Sequence, residues 1–126
     1  NGNFSDYQLQ VPFVLHWPGQ AAAQDARTSS HEDWVPTLMR HGLGCENALA
    51  DYSTGQDLLA EPQGTRSLVV ESWSQRAVRH GDAIHVFDKF GNATTLDRRY
   101  HPLPQQAPDP ASLRAAWEAL TRFRNR

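Results

Sequence analysis

Three stretches of this 126-residue chain predict an α/β fragment: a central-sheet strand and a flanking helix, then a small antiparallel sheet with a C-terminal helix. Val11 to Gly19, VPFVLHWPG, is apolar at successive positions and closed by Pro-Gly, as in a strand buried on both faces. Residues 66–96 change to short alternating runs joined by turn residues, the pattern of an antiparallel meander. Residues 109–123 repeat apolar side chains at helical spacing.

Taken in order, Asn1 to Asp6 is polar and turn-forming and leads into the apolar strand. A strand of that kind is stable only inside a larger sheet covered by helices, and no βαβ unit precedes it. The chain therefore reads as the tail of something bigger, with residues 1–63 the last part of an α/β core and 64–126 an antiparallel subdomain. His16 lies on the strand and is expected as a hydrogen-bonded core histidine. Ser29 to Gly44 is the clearest helix, with Asp33 as N-cap, Pro36 in the first turn and Gly42 or Gly44 past the end. A start at Ser30, with Asp33 closing a capping box, is the alternative; it leaves Pro36 inside the helix.

Cys45 to Gln63 is a loop rich in turn signals. Leu68, Val69, Val70 and Trp73 then read as a strand, with a weaker one at Ala77–His80 and a turn at His80-Gly81-Asp82. Ala83 to Asp88 alternates, Ile84 and Val86 on one face and His85 and Phe87 on the other, with His85 expected outside. Lys89 to Asn92 is a hairpin connection into Ala93–Leu96. After a proline-rich extension, Asp109-Pro110 opens the last helix as N-cap and first residue, and Leu113, Ala116, Trp117, Leu120 and Phe123 form its buried stripe. Laid across the meander, it completes an α+β layer.

The net charge is -2 and the pI 6.3, which argues against a nucleic-acid partner for the chain as a whole. The charge is uneven. Residues 1–64 hold eight acids against Arg27 and Arg40, whereas residues 65–126 hold ten bases against six acids. Either the basic C-terminal face pairs with other protein surface, or it turns toward anionic lipid. One cysteine, Cys45, excludes an internal disulfide and a cysteine-built zinc site. No run reaches the roughly 18–20 apolar residues of a membrane helix.

Candidate chemistry is sparse. His31-Glu32-Asp33 is the densest set of potential ligands, but adjacent residues at a helix start point in different directions, and capping accounts for Asp33. No nucleophile stands at a recognisable spacing from a base, and there is no phosphate-cradling glycine loop. Asn3-Phe4-Ser5 and Asn92-Ala93-Thr94 match the glycosylation pattern, which is short and commonly accidental. No catalytic and no metal-binding residue is assigned.

Three segments nonetheless form an ordered set: FSDYQLQVPFVLHWPG (Phe4–Gly19), TSSHEDWVPTLMRHGLG (Thr28–Gly44) and DYSTGQDLL (Asp51–Leu59). Their order and spacing resemble the C-terminal part of sulfatase-like proteins of the alkaline-phosphatase superfamily. Within that family the likeness is to the inner-membrane type that regulates lipopolysaccharide synthesis in Gram-negative bacteria. It is specific over Phe4 to Leu59; over the meander and last helix only the order of elements agrees.

The resemblance implies a fragment of a periplasmic sulfatase-like domain, on the periplasmic side of the bacterial inner membrane, in a parent anchored by membrane helices. The family's nucleophile and its metal ligands lie upstream of the matching segments. No catalytic residue is therefore carried onto this chain, and no cofactor is expected in the fragment, although the parent domain would hold a divalent metal. Asp33 and Pro36 match the family's helix pattern in a structural capacity. The implied partners are the remainder of the sulfatase-like domain and anionic lipid or lipopolysaccharide, met through Arg122, Arg124 and Arg126. The resemblance favours a regulatory, non-catalytic fragment; the alternatives are a fragment of an active metal-dependent sulfuric- or phosphoric-ester hydrolase or transferase, and an unrelated α+β interaction module.

Overall fold

The computed structural model describes residues 3–104 and 106–123. The chain forms two units, one of residues 24–66 and one that joins residues 1–23 to residues 67–126.

In the second of these, β1 (Ser67–Glu71), β2 (Gln75–His80), β3 (Ala83–Asp88) and β4 (Ala93–Asp97) form an antiparallel meander in the order β1-β2-β3-β4. The expected alternation is borne out. Val70, Ala77 and Val86 stand in one cross-strand row, and Arg79, Ile84 and Leu96 in the next row of the same face. Phe4, Ala77, Ile84, Val86 and Leu96 form the core there, with Leu9, Val70 and Tyr100 packed against it. Phe4 is delivered by a single helical turn, α1 (Asp6–Leu9). Asp6 fastens that turn: its amide donates to the Arg98 carbonyl at 3.2 Å, and its carboxylate meets Arg98 Nε at 2.8 Å and an Arg79 guanidinium nitrogen at 2.9 Å.

The opposite face carries α3 (Pro110–Thr121), packed against β1 and β2. Asp109 caps it by accepting from the Ser112 amide at 2.9 Å, and Pro110 takes the first position, as the sequence predicts. Ala116 is buried, and Trp117 meets Phe87 with ring centroids 6.4 Å apart. This layer corrects the reading of His85. The face it shares with Phe87 is the one the helix covers, so His85 is buried, with Nδ1 2.9 Å from Thr95 Oγ1.

The apolar stretch 11–17 also departs from expectation. It forms no strand and takes no place in a sheet among the described residues, and Trp17 enters a turn. All four strands of this unit pair in sequence order, so none is left to flank it. Phe13 is 55% and Val14 92% exposed, and His16 is exposed too, where a core position was expected.

The 24–66 unit is built on a helical run that tightens at its start and widens at its end. His31–Asp33 is 3₁₀, Trp34–Thr37 (α2) is α, and Leu38–Gly42 is a π turn. Gly44, at φ +65°, takes the left-handed conformation beyond it. The start is the Ser30 capping box, not an Asp33 N-cap. Pro36 has no N–H to return to the Glu32 carbonyl one turn back, and Gly55 packs onto that carbonyl. A Cβ on Gly55 would lie 2.2 Å from the oxygen, so only glycine fits.

Candidate functional site

The densest polar arrangement centres on Asp33, whose side chain is fully buried. One carboxylate oxygen accepts from the Ser30 amide at 2.8 Å; the other accepts from the Gln56 amide at 2.9 Å and from Arg66. Gln56 Nε2 adds a contact at 3.3 Å. Four residues on, Thr37 Oγ1 donates to the Asp33 carbonyl at 2.6 Å and accepts from the Leu58 amide at 2.9 Å. A helix start, a turn at 53–58 and an arginine from the end of the unit are thus tied to one carboxylate and one hydroxyl. A buried carboxylate is tolerated when every lone pair is engaged, and here the acceptor positions are occupied by protein donors. The cluster fixes structure and leaves no group aimed at a substrate.

The neighbouring ligand candidates are likewise engaged. Glu32 accepts from Thr54 Oγ1 at 3.0 Å and faces Arg66 at 3.5 Å. His31 is exposed. His41 Nε2 lies 2.8 Å from Asp57 Oδ2, and Asp57 is itself oriented by the Leu59 amide at 2.9 Å. Sequence reasoning placed His41 at a helix end and missed this pair; the available signal was an aspartate in a turn-forming stretch that the fold returns to the helix. His80 Nδ1 stands 2.8 Å from Ser67 Oγ, and His101 lies against Asp97. Among the described residues no three of His, Cys, Asp and Glu converge as a metal site. These residues do not fit the divalent metal that the resemblance implies for the parent.

Of the three arginines expected to face lipid, Arg122 directly follows α3 and is exposed. Arg124 and Arg126 lie outside the described residues. Both glycosylation-pattern matches have structural explanations: Ser5 is buried, and the Asn92 side chain donates to Asp88 at 2.8 Å.

No protein-family profile matches the chain. It is similar to the inner membrane protein YejM of Salmonella typhimurium and of Salmonella typhi, 29% identical to each over 106 residues that make up 84% of this chain. An uncharacterized protein of Haemophilus influenzae is 27% identical over 99 residues, 77% of the chain. The matched region spans only 18% of the YejM length and 17% of the Haemophilus protein. The chain thus spans less than a fifth of the length of the curated relatives it matches. Among the described residues no helix is long and apolar enough to cross a membrane.

Proposed function

We propose that this chain is the C-terminal part of a periplasmic sulfatase-like domain of an inner-membrane protein, regulatory and lipid- or lipopolysaccharide-related, without catalysis of its own. The observation that carries the reading is the similarity to YejM over 84% of the chain but 18% of the relative. The stretch 11–16, which joins no sheet among the described residues and exposes Phe13 and Val14, supports it, because an apolar strand sequence without a sheet is what a domain leaves when its neighbouring strands lie elsewhere. The Asp33 network supports it too: two of the segments that carry the family resemblance, Thr28–Gly44 and Asp51–Leu59, are the ones it ties together.

Three measurements test this. The isolated chain should self-associate in sedimentation, and Phe13→Ser with Val14→Ser should return it to monomer; a monomeric wild-type chain would sink the displaced-strand argument. Aryl-sulfate and phosphodiester assays with added divalent metals should show no turnover, and robust metal-dependent hydrolysis by these residues alone would overturn the non-catalytic reading. Charge reversal at Arg122, Arg124 and Arg126 should weaken binding to anionic vesicles, whereas unchanged binding removes the lipid-facing role from the basic C-terminus.

A further inference from the structure

We infer that the outer edge of β1 receives, as an added antiparallel strand, residues 11–16 of a second copy of this chain. The inference rests on the reading above in taking that stretch to be a strand without neighbours, and adds where such a strand docks.

The two edges of the sheet differ. β4 is closed by the chain's own return: the Leu103 amide donates to the Thr95 carbonyl and the Asp97 amide to the His101 carbonyl, each at 2.8 Å, and Leu96 bridges Pro102. β1 has no such cover among the described residues. Which of its groups face out is set by the turn that follows, where the Ser72 amide donates to the Gln75 carbonyl at 2.9 Å. Alternation from that pair turns the N–H and C=O of Val70 and Leu68 toward their β2 partners, Ala77 and Arg79. Those of Ser67, Val69 and Glu71 therefore face outward. The strand has no proline, lysine or bulge to guard this row, and Glu71 is paired with Arg76 at 2.7 Å.

The helix above the edge is short of floor. Val69 shares the row of Val78 and His85, the face that α3 covers, and α3 packs against β1 and β2. Leu113, Trp117 and Leu120 of the helix stay half-buried, as do Leu68, Val69 and Val70 beneath it. One more strand beside β1 would extend the floor under that stripe.

The prolines decide how residues 11–16 fit. Pro12 has no N–H, so in an added strand its backbone must face away from the ladder. Val14 and His16 then face away too, which leaves Val11, Phe13 and Leu15 to bond with Ser67, Val69 and Glu71, three residues against three. Directly opposed residues of an antiparallel pair share a face. Setting Phe13 opposite Val69 thus places Val11, Phe13 and Leu15 beneath α3, and Val14 beside Leu68 on the face of the Phe4 core. The apolar side chains that the structure leaves exposed would all be covered.

A chain cannot supply its own edge this way. Val11 and Pro12 line a hollow with Arg98 and Arg99, directly after β4. β1 lies three strand spacings away, about 14 Å. Residues 12–16 span at most about 17 Å when extended, so crossing the sheet would use nearly all of them. A second copy has no such limit, and reciprocal donation closes a dimer.

The test uses the full chain. Val69→Pro deletes the central outward N–H, a change that an edge strand accepts where that amide faces solvent. It should raise the dimer dissociation constant about tenfold in sedimentation, with circular dichroism unchanged. Cross-linking does not depend on the proline being tolerated. With Cys45→Ser throughout, a chain carrying Val14→Cys is mixed with one carrying Leu68→Cys and oxidised; these positions form a non-hydrogen-bonded pair, at a Cα spacing that a disulfide spans. The mixed disulfide should predominate. Predominant linkage between two Val14→Cys chains would mean that the exposed stretches cover each other, and between two Leu68→Cys chains that two edges pair. Either result overturns the inference, as does a mixture that fails to cross-link. If Phe13→Ser with Val14→Ser gives a monomer while Val69→Pro leaves association unchanged, this edge fails and the displaced-strand reading stands. A monomeric wild-type chain removes both.

Discussion

The two units bury different chemistry. Among the described residues, every buried apolar member of the core, from Phe4 to Ala116, belongs to the unit that holds the sheet. The 24–66 unit instead buries Asp33, Pro36, Thr37, Ser53, Gly55 and Asp57. The sheet unit is held by area removed from water, a non-directional term that tolerates small shifts. The 24–66 unit is held by directional bonds that converge on two side chains, where a lost partner leaves a desolvated group behind. The lesson concerns failure: the first should soften gradually under substitution, and the second should come apart at once.

Asp33→Ala is the largest test of that contrast. It takes from the Arg66 guanidinium its closest carboxylate, leaving the longer contacts to Glu32 at 3.5 Å and the Thr54 carbonyl at 3.3 Å, and removes acceptors from the Ser30 and Gln56 amides. Loss of one partner of a buried ion pair costs about 3–5 kcal/mol. Hydrogen exchange should speed up across 24–66 while the β2 and β3 amides keep their protection; uniform loss across both units would break the comparison. Phe4→Ala comes next, at about 3 kcal/mol, the low end for a buried phenylalanine because a one-turn helix can relax into the space. Its signature should be the reverse, with deprotection of the sheet and an unchanged 24–66 unit.

How much of this was legible depended on which term dominated. The meander, the Asp109-Pro110 start and the Leu113, Ala116, Trp117 and Leu120 part of the stripe are legible because burial imposes a period on sequence, whereas Phe123, expected in the same stripe, is 38% exposed. The Ser30 start could not be chosen by pattern, since its advantage comes from Gln56 and Arg66, far along the chain. Gly55 looked like a turn glycine, and its requirement became visible only with the Glu32 carbonyl against it. His85 was assigned outward because alternation defines two faces without saying which a helix will cover. Trp73 was read as strand from its β propensity, yet it stands in the turn, where nothing in the fold requires an indole. The stretch 11–17 has the apolar pattern of a doubly covered strand, yet it forms no strand among the described residues, because sequence pattern cannot supply a neighbour.

Gly55→Ala sharpens the comparison within the polar unit. Its Cβ would press on backbone that belongs to the capped turn, so the cost should be about 2 kcal/mol. Because φ at Gly55 is not left-handed, Gly55→Ser should be no less damaging than alanine despite serine's tolerance of turns. Equal stability of Gly55→Ala and wild type in urea would show that the helix start can give way.

The smallest effect is electrostatic and belongs to the sheet unit. Burial, and secondly the charge of His80, hold His85 below its ordinary value of 6.5. The unfolded chain therefore takes up a proton at His85 before the folded chain does. Stability from this site is complete above pH 6.5 and falls as pH drops toward the lower folded value. His85→Gln keeps a polar partner for Thr95 and should remove that slope, leaving the two proteins converging at acid pH. The carboxylates of Asp88, Asp97 and Asp109, each held below 3.8 chiefly by hydrogen bonds to Asn92, His101 and Ser112, lose their contribution only at still lower pH. A urea midpoint series between pH 7.5 and 5 thus isolates the histidine, and identical slopes for wild type and His85→Gln would mean that the covered face of the sheet is wetter than its packing indicates.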